Sequence, residues 1–232
     1  MNLQSGERQN CKAKVQSHEK KGASSMGKGI DTTVNCQSLA GAIKEAGYNF
    51  VCRYYNRNNP GKNLTAEEAA ALTAAGLYIV AVWENGFPTS ADYFSYEAGT
   101  KDGTDAHRYA RSIGQPDGTP IYFTVDYDAS SEDLDGVVGP YVQGVIDSFQ
   151  EEAASGTSYD IGIYGSGLTC KYILKAYDRV AYAWLAESRG WRGYASFGDW
   201  NIKQLAGATV AGIPVDTNTT AGNGGGFQVP GE

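Results

Sequence analysis

The strongest constraint on the fold is an alternation: from residue 27 onward, short apolar runs take turns with helical stretches. Eight runs read as strands: Gly29 to Asp31, Phe50 to Tyr55, Tyr78 to Glu84, Pro120 to Asp126, Tyr159 to Tyr164, Val180 to Ala186, Trp200 to Gln204 and Ile213 to Asp216. Strand–helix alternation builds βα units around a parallel sheet, whose strands are buried on both faces and rich in β-branched and aromatic residues. The helices between them carry start and stop signals. Thr65 followed by Glu68 reads as a capping box for a helix that stops at Gly76, and Leu39 to Ala46 ends at Gly47 directly before the second strand. Eight such strands predict an α/β fold, a single-domain (β/α)8 TIM-like barrel. The 204 residues beyond residue 28 lie near the lower size limit of that fold, leaving room for irregular closure. A doubly wound open sheet calls for a glycine-rich phosphate turn after its first strand, which Asp31-Thr32-Thr33 is not. Gly165-Ser166-Gly167 reads as a tight turn.

Charge and composition set the boundaries. Residues 1–28 hold six Lys/Arg against two Asp/Glu, net +4, leaving −11 for the rest of a chain whose formal charge is −7. We therefore expect a basic flexible leader over 1–26, a barrel over 27–220 and a flexible Gly-rich tail over 221–232. An acidic body argues against nucleic acid as a partner. No stretch approaches the ~20 apolar residues of a membrane span, and the N-terminus lacks the apolar core of a secretory signal. Work at a cell wall would then require specialised export or release by lysis. The four cysteines show no C-x-x-C pairing, so neither a metal nor a cofactor is expected, and Cys52 reads as a small buried hydrophobe. Of the two histidines, His107 is expected on a solvated helix face. A His-based triad has little material to work with. The sequence carries no signature of an oligomeric state.

The chemistry gathers at the strand ends, where barrel active sites lie. Val125-Asp126-Tyr127-Asp128-Ala129 places two carboxylates where the fourth apolar run meets a polar loop. Glycosidases use such a pair, one protonated to assist the leaving oxygen and one ionised. The remaining strand ends give Asp31, Tyr54 and Tyr55, Trp83 and Glu84, Tyr164, Trp184 and Glu187, Gln204 and Asp216. Acids beside aromatic faces suit a sugar. The candidate catalytic residues are Asp126, Asp128, Glu84 and Asp31, with Asp128 or Glu84 as the acid and Asp126 ionised. Candidate substrate contacts are Asp216, Tyr55, Arg53, Trp83, Tyr164, Trp184 and Gln204. A competing structural account has one of the paired aspartates capping the helix after Ser130-Ser131-Glu132 and the other pairing with Arg53.

Gly29-Ile30-Asp31-Thr32, Phe50 to Tyr55, Leu64 to Leu77, Tyr122 to Asp128, Gly162 to Ser166, Ala183 to Ala186 and Val215 to Asn218 together form an ordered series. Over residues 27–220 it resembles the glycoside-hydrolase-like domain catalogued as domain of unknown function 1906, itself similar to family-25 lysozymes. The resemblance implies a muramidase-like barrel acting on the glycan strands of peptidoglycan. It aligns Asp31 with the family's early aspartate, Asp126 with its first mid-chain acid, and Asp216 and Asn218 with its late pair. Asp128 stands where those lysozymes have glutamate, and its shorter side chain would hold a proton about an ångström further from the glycosidic oxygen. A glycan-binding barrel that has lost turnover is the alternative.

Overall fold

The computed structural model describes residues 26–230. Eight strands close a barrel in sequential order: β1 (Lys28–Asp31), β2 (Phe50–Tyr55), β3 (Tyr78–Trp83), β4 (Pro120–Thr124), β5 (Asp160–Gly165), β6 (Val180–Leu185), β7 (Ile202–Val210) and β8 (Ile213–Thr220). Helices α1 (Ala40–Glu45), α2 (Ala66–Ala74), α3 (Tyr96–Ile113), α4 (Ser131–Asp133), α5 (Gly139–Ala153) and α6 (Gly167–Ala176) follow the first five strands and wrap them. The barrel is thus an irregular version of the expected (β/α)8 design. Pairing is parallel from β1 through β7, but β8 runs antiparallel to both β7 and β1. A tight turn at Ala211-Gly212, where both residues have positive φ, folds β7 and β8 into a hairpin that needs no crossover helix.

Alternation along each strand sorts the side chains into two cores. Phe50, Cys52, Val80, Val82, Tyr122, Trp184 and Ile202 fill the barrel interior, while Val51, Tyr55, Ile79, Ala81, Ile121, Phe123 and Ile163 face the helices. Burying each large apolar side chain is worth roughly 1.5–3 kcal/mol. Glycine makes space for the interior rings. A Cβ at Gly162 would lie 2.6 Å from the Tyr122 ring, and one at Gly29 would lie 2.3 Å from Phe50.

Three local expectations change. Thr65 caps α2 by accepting from the Glu68 N–H, but the Glu68 carboxylate does not return to the cap. It binds Arg53 through two bonds, 2.7 and 3.1 Å, and accepts from the Cys36 N–H, in a fully buried cluster. His107 lies in the core against Phe149 and Tyr159, its Nε2 3.1 Å from the Thr157 carbonyl, because α3 turns that face onto α5. Residues 221–230, expected as a flexible tail, cross the amino-terminal end of the barrel. Phe227 bridges to Ile79 and is 3% exposed, and the Tyr122 hydroxyl donates to the Gly224 carbonyl. The glycines there serve close packing, since Cβ atoms at Gly224 and Gly226 would lie 2.5 Å from Met26. The basic leader falls outside the described residues, apart from Met26.

Candidate functional site

At the opposite end, the carboxyl ends of the strands surround a cavity of about 240 Å³. Four carboxylates reach it from four strands: Asp31 as the last residue of β1, Glu84 after β3, Asp126 after β4 and Asp216 midway along β8. Tyr54, Tyr164 and Trp184 form its aromatic wall, with Gln204 between. Asp31, Tyr54 and Asp216 are shared with an adjoining groove of about 590 Å³ under the β7–β8 hairpin, so cavity and groove form one cleft.

Asp31 sits deepest, 5% exposed, and is held from the hairpin side. Asn218 Nδ2 donates to its Oδ2 at 2.6 Å, and Gln204 Nε2 lies 3.3 and 3.2 Å from its two oxygens. The donors are themselves oriented, because Trp184 Nε1 donates to Asn218 Oδ1 at 3.0 Å and the Tyr164 hydroxyl to Gln204 Oε1 at 3.0 Å. Burial pushes the Asp31 carboxyl up to about 7 against the lowering pull of Asn218 and Gln204. Asp126 is tethered through its backbone, its N–H donating to the Pro88 carbonyl at 2.9 Å, while no described group donates to its carboxylate. Burial first, and the Glu84 charge second, raise the Asp126 carboxyl above the usual range. Asp216 is raised by burial. Glu84 is engaged differently, its Oε1 2.6 Å from Lys62 Nζ, which also lies over the Tyr54 ring.

Seven of the eleven residues expected at the site therefore meet there: Asp31, Glu84, Asp126, Tyr164, Trp184, Gln204 and Asp216. Four do not. Asp128 sits outside the cavity lining, accepting from the Arg192 backbone N–H at 2.8 Å and its guanidinium at 2.9 Å, which ties the β4–α4 loop to the segment after β6. Arg53 is fully buried on Glu68. Tyr55 is buried with its hydroxyl on Gln115 Oε1, and Trp83 faces the helix layer. All three occupy the outward-facing set of their strands. The structural account of the paired acids also fails, because Ser130 with Asp133 caps α4 and Arg53 pairs with Glu68. Tyr54 joins the cleft instead, marked by strand parity two residues after inward-facing Cys52, while buried Asn218 supports the cleft from behind through its bond to Asp31.

Among the described residues no His/Cys/Asp/Glu cluster could hold a metal. Cys36, Cys52 and Cys170 are buried free thiols. No described helix is long and apolar enough to cross a membrane.

The chain is 29% identical over 194 residues to the uncharacterized protein FadG of Bacillus subtilis, covering 79% of this chain but only 33% of that protein. Among solved structures, the Mycobacterium tuberculosis Tat-secreted protein Rv2525c superposes with a TM-score of 0.70 at 22% identity, covering 87% of this chain and 98% of that one. The modular autolysin LytC of Streptococcus pneumoniae, solved with a synthetic peptidoglycan ligand, superposes with a TM-score of 0.54 at 14% identity, covering 83% and 46%. Such identities bear on the fold alone. The family model of the Rv2525c-like, glycoside hydrolase-like domain matches residues 41–223, and the chain belongs to that family.

Proposed function

We propose that the cleft binds and hydrolyses the glycan strands of peptidoglycan, as a muramidase-like glycosidase. The observation that carries this is the convergence of four carboxylates from separate strands on one aromatic-walled cavity. Asp126 is the proton donor. Its carboxyl has no donor holding it as a carboxylate, and burial and the Glu84 charge both favour its protonated form. It delivers its proton to the glycosidic oxygen as the bond to the anomeric carbon breaks. Glu84, held by Lys62, faces the positive charge that develops on the sugar; water then adds to the anomeric carbon and gives its proton to the Asp126 carboxylate, restoring the acid. Asp31, fixed by Asn218 and Gln204, positions the sugar between them. Tyr164 and Trp184 supply the apolar wall. The peptidoglycan ligand of LytC supports the choice of polymer, and the Tat export of Rv2525c supports action outside the cytoplasm.

The alternative, a glycan-binding barrel without turnover, draws on Asp128, which the ion pair with Arg192 holds away from the cavity. Purified peptidoglycan separates the two. The hydrolase predicts new reducing ends from the wild type and at least about a hundredfold slower release from Asp126→Asn, with both proteins still bound. Saturable binding without release by the wild type would leave only the binding module.

A further inference from the structure

Adjacent residues of one strand open into different hollows. Val82 and Glu84 line the central cleft, whereas Trp83 between them lines a separate hollow of about 650 Å³ on the outer flank of the barrel. Arg57 and Asn63 of the β2–α2 loop face Asp105, Arg108 and Tyr109 of α3 across it. Two polar atoms here are buried with no hydrogen-bond partner among the described residues: Trp83 Nε1, on a side chain 2% exposed, and Asn63 Oδ1, on a residue 6% exposed. The first can only donate and the second can only accept. Buried indole N–H and amide oxygen atoms ordinarily find partners in protein, water or ligand, and both of these residues line the hollow.

The charges around the hollow are already matched. Arg57 pairs with Asp102 and Asp105, and Arg108 pairs with Glu152. Selection therefore falls on a neutral group that offers an acceptor to the indole and a donor to the amide oxygen. A secondary amide has both on neighbouring atoms, and the acetamido group of a hexosamine presents one on a hydroxylated ring. We propose that this hollow is a second saccharide site, taking an N-acetylhexosamine unit of the polymer that crosses the rim at β3. The assignment rests on the glycan reading of the central cleft. The guanidinium of Arg57, held by Asp102 and Asp105, lies over one face of the Trp83 ring at 5.5 Å.

The four tryptophans give the test, because each has one indole N–H resonance. Trp184 Nε1 is bonded to Asn218 and reports the central cleft, while Trp83 Nε1 reports the flank. The Trp83 resonance is assigned by its loss in Trp83→Phe or, should that variant misfold, by its NOE to the Arg57 side chain. Titration with tri-N-acetylchitotriose is expected to move both resonances saturably, and cellotriose, which lacks the amide, is expected to leave Trp83 still. Ser112→Tyr, at an exposed position on the lining of the hollow, should abolish the Trp83 shift and spare that of Trp184. Movement of Trp184 alone overturns the second site and keeps the central one. Movement of Trp83 alone keeps the flank site and overturns the central glycan reading. Movement of neither overturns both. An equal Trp83 response to cellotriose, to N-acetylalanine methylamide in place of the sugar, or in Ser112→Tyr overturns the acetamido-sugar assignment.

Discussion

The parallel wall β1–β6 and the β7–β8 hairpin build the same cleft by different means. Strands of the wall are buried on both sides, and their ends offer Asp31, Glu84 and Asp126 from a dry, stiff frame. The hairpin is buried only in its lower half. Residues 205–209 are exposed, and its contribution at the cleft is the amides of Gln204 and Asn218 together with Asp216. The wall thus holds the acids proposed to act, while the hairpin holds groups that orient one of them. A shared end of a barrel can separate reacting groups from the groups that position them.

That division can be broken from the wall first. Asp126→Asn is expected to lower kcat for glycan cleavage by about 10²–10⁴-fold while oligomer affinity changes less than threefold, read from reducing ends and calorimetry. A loss under tenfold would remove Asp126 from the role of acid. Next in size is the wall's own buried ion pair. Arg53→Ala leaves Glu68 buried and unpaired and should cost about 3–5 kcal/mol in urea unfolding, whereas Arg53→Met with Glu68→Leu should recover most of it.

The hairpin side is tested through Asp31. Its folded carboxyl titrates at about 7, above the unfolded value, so the folded state holds that proton longer. Stability from this group is complete below about pH 4 and is lost as pH rises through about 7. Asp31→Asn should flatten that part of the stability–pH curve. Asn218→Ala removes a bond that favours the carboxylate, and should move the Asp31 titration, followed by carboxyl NMR, further up. A downward movement would show that the hairpin does not hold Asp31 as the hydrogen bonds indicate. Smallest is Asp128→Asn. Its ion pair with a half-exposed Arg192 is worth at most about 1 kcal/mol, and activity should change less than tenfold. A loss comparable to that of Asp126→Asn would restore Asp128 as the acid.

The same contrast explains what could be read in advance. The wall strands were legible because apolar runs between glycine stops have one reading once their order is fixed. The hairpin is longer than its sequence suggests because Leu205-Ala206-Gly207-Ala208 lacks strand-forming residues and Ala211 is an unusual choice for a positive-φ turn. Site errors on the wall were errors of parity. Arg53, Tyr55 and Trp83 sit one residue from inward-facing Tyr54 and Glu84, and a one-residue shift exchanges cleft for helix layer. Asp128 eluded the sequence differently. Two residues beyond Asp126 would keep the same facing only if the strand continued, and β4 ends at Thr124. Arg192, which captures Asp128, lies 64 residues away.

The glycine strap across the amino-terminal end has a topological consequence. Met26 and Phe227 lie together there, so both ends of the folded body emerge at one pole while the cleft opens at the other. A module fused directly to either described end would therefore start its course from the pole opposite the entrance.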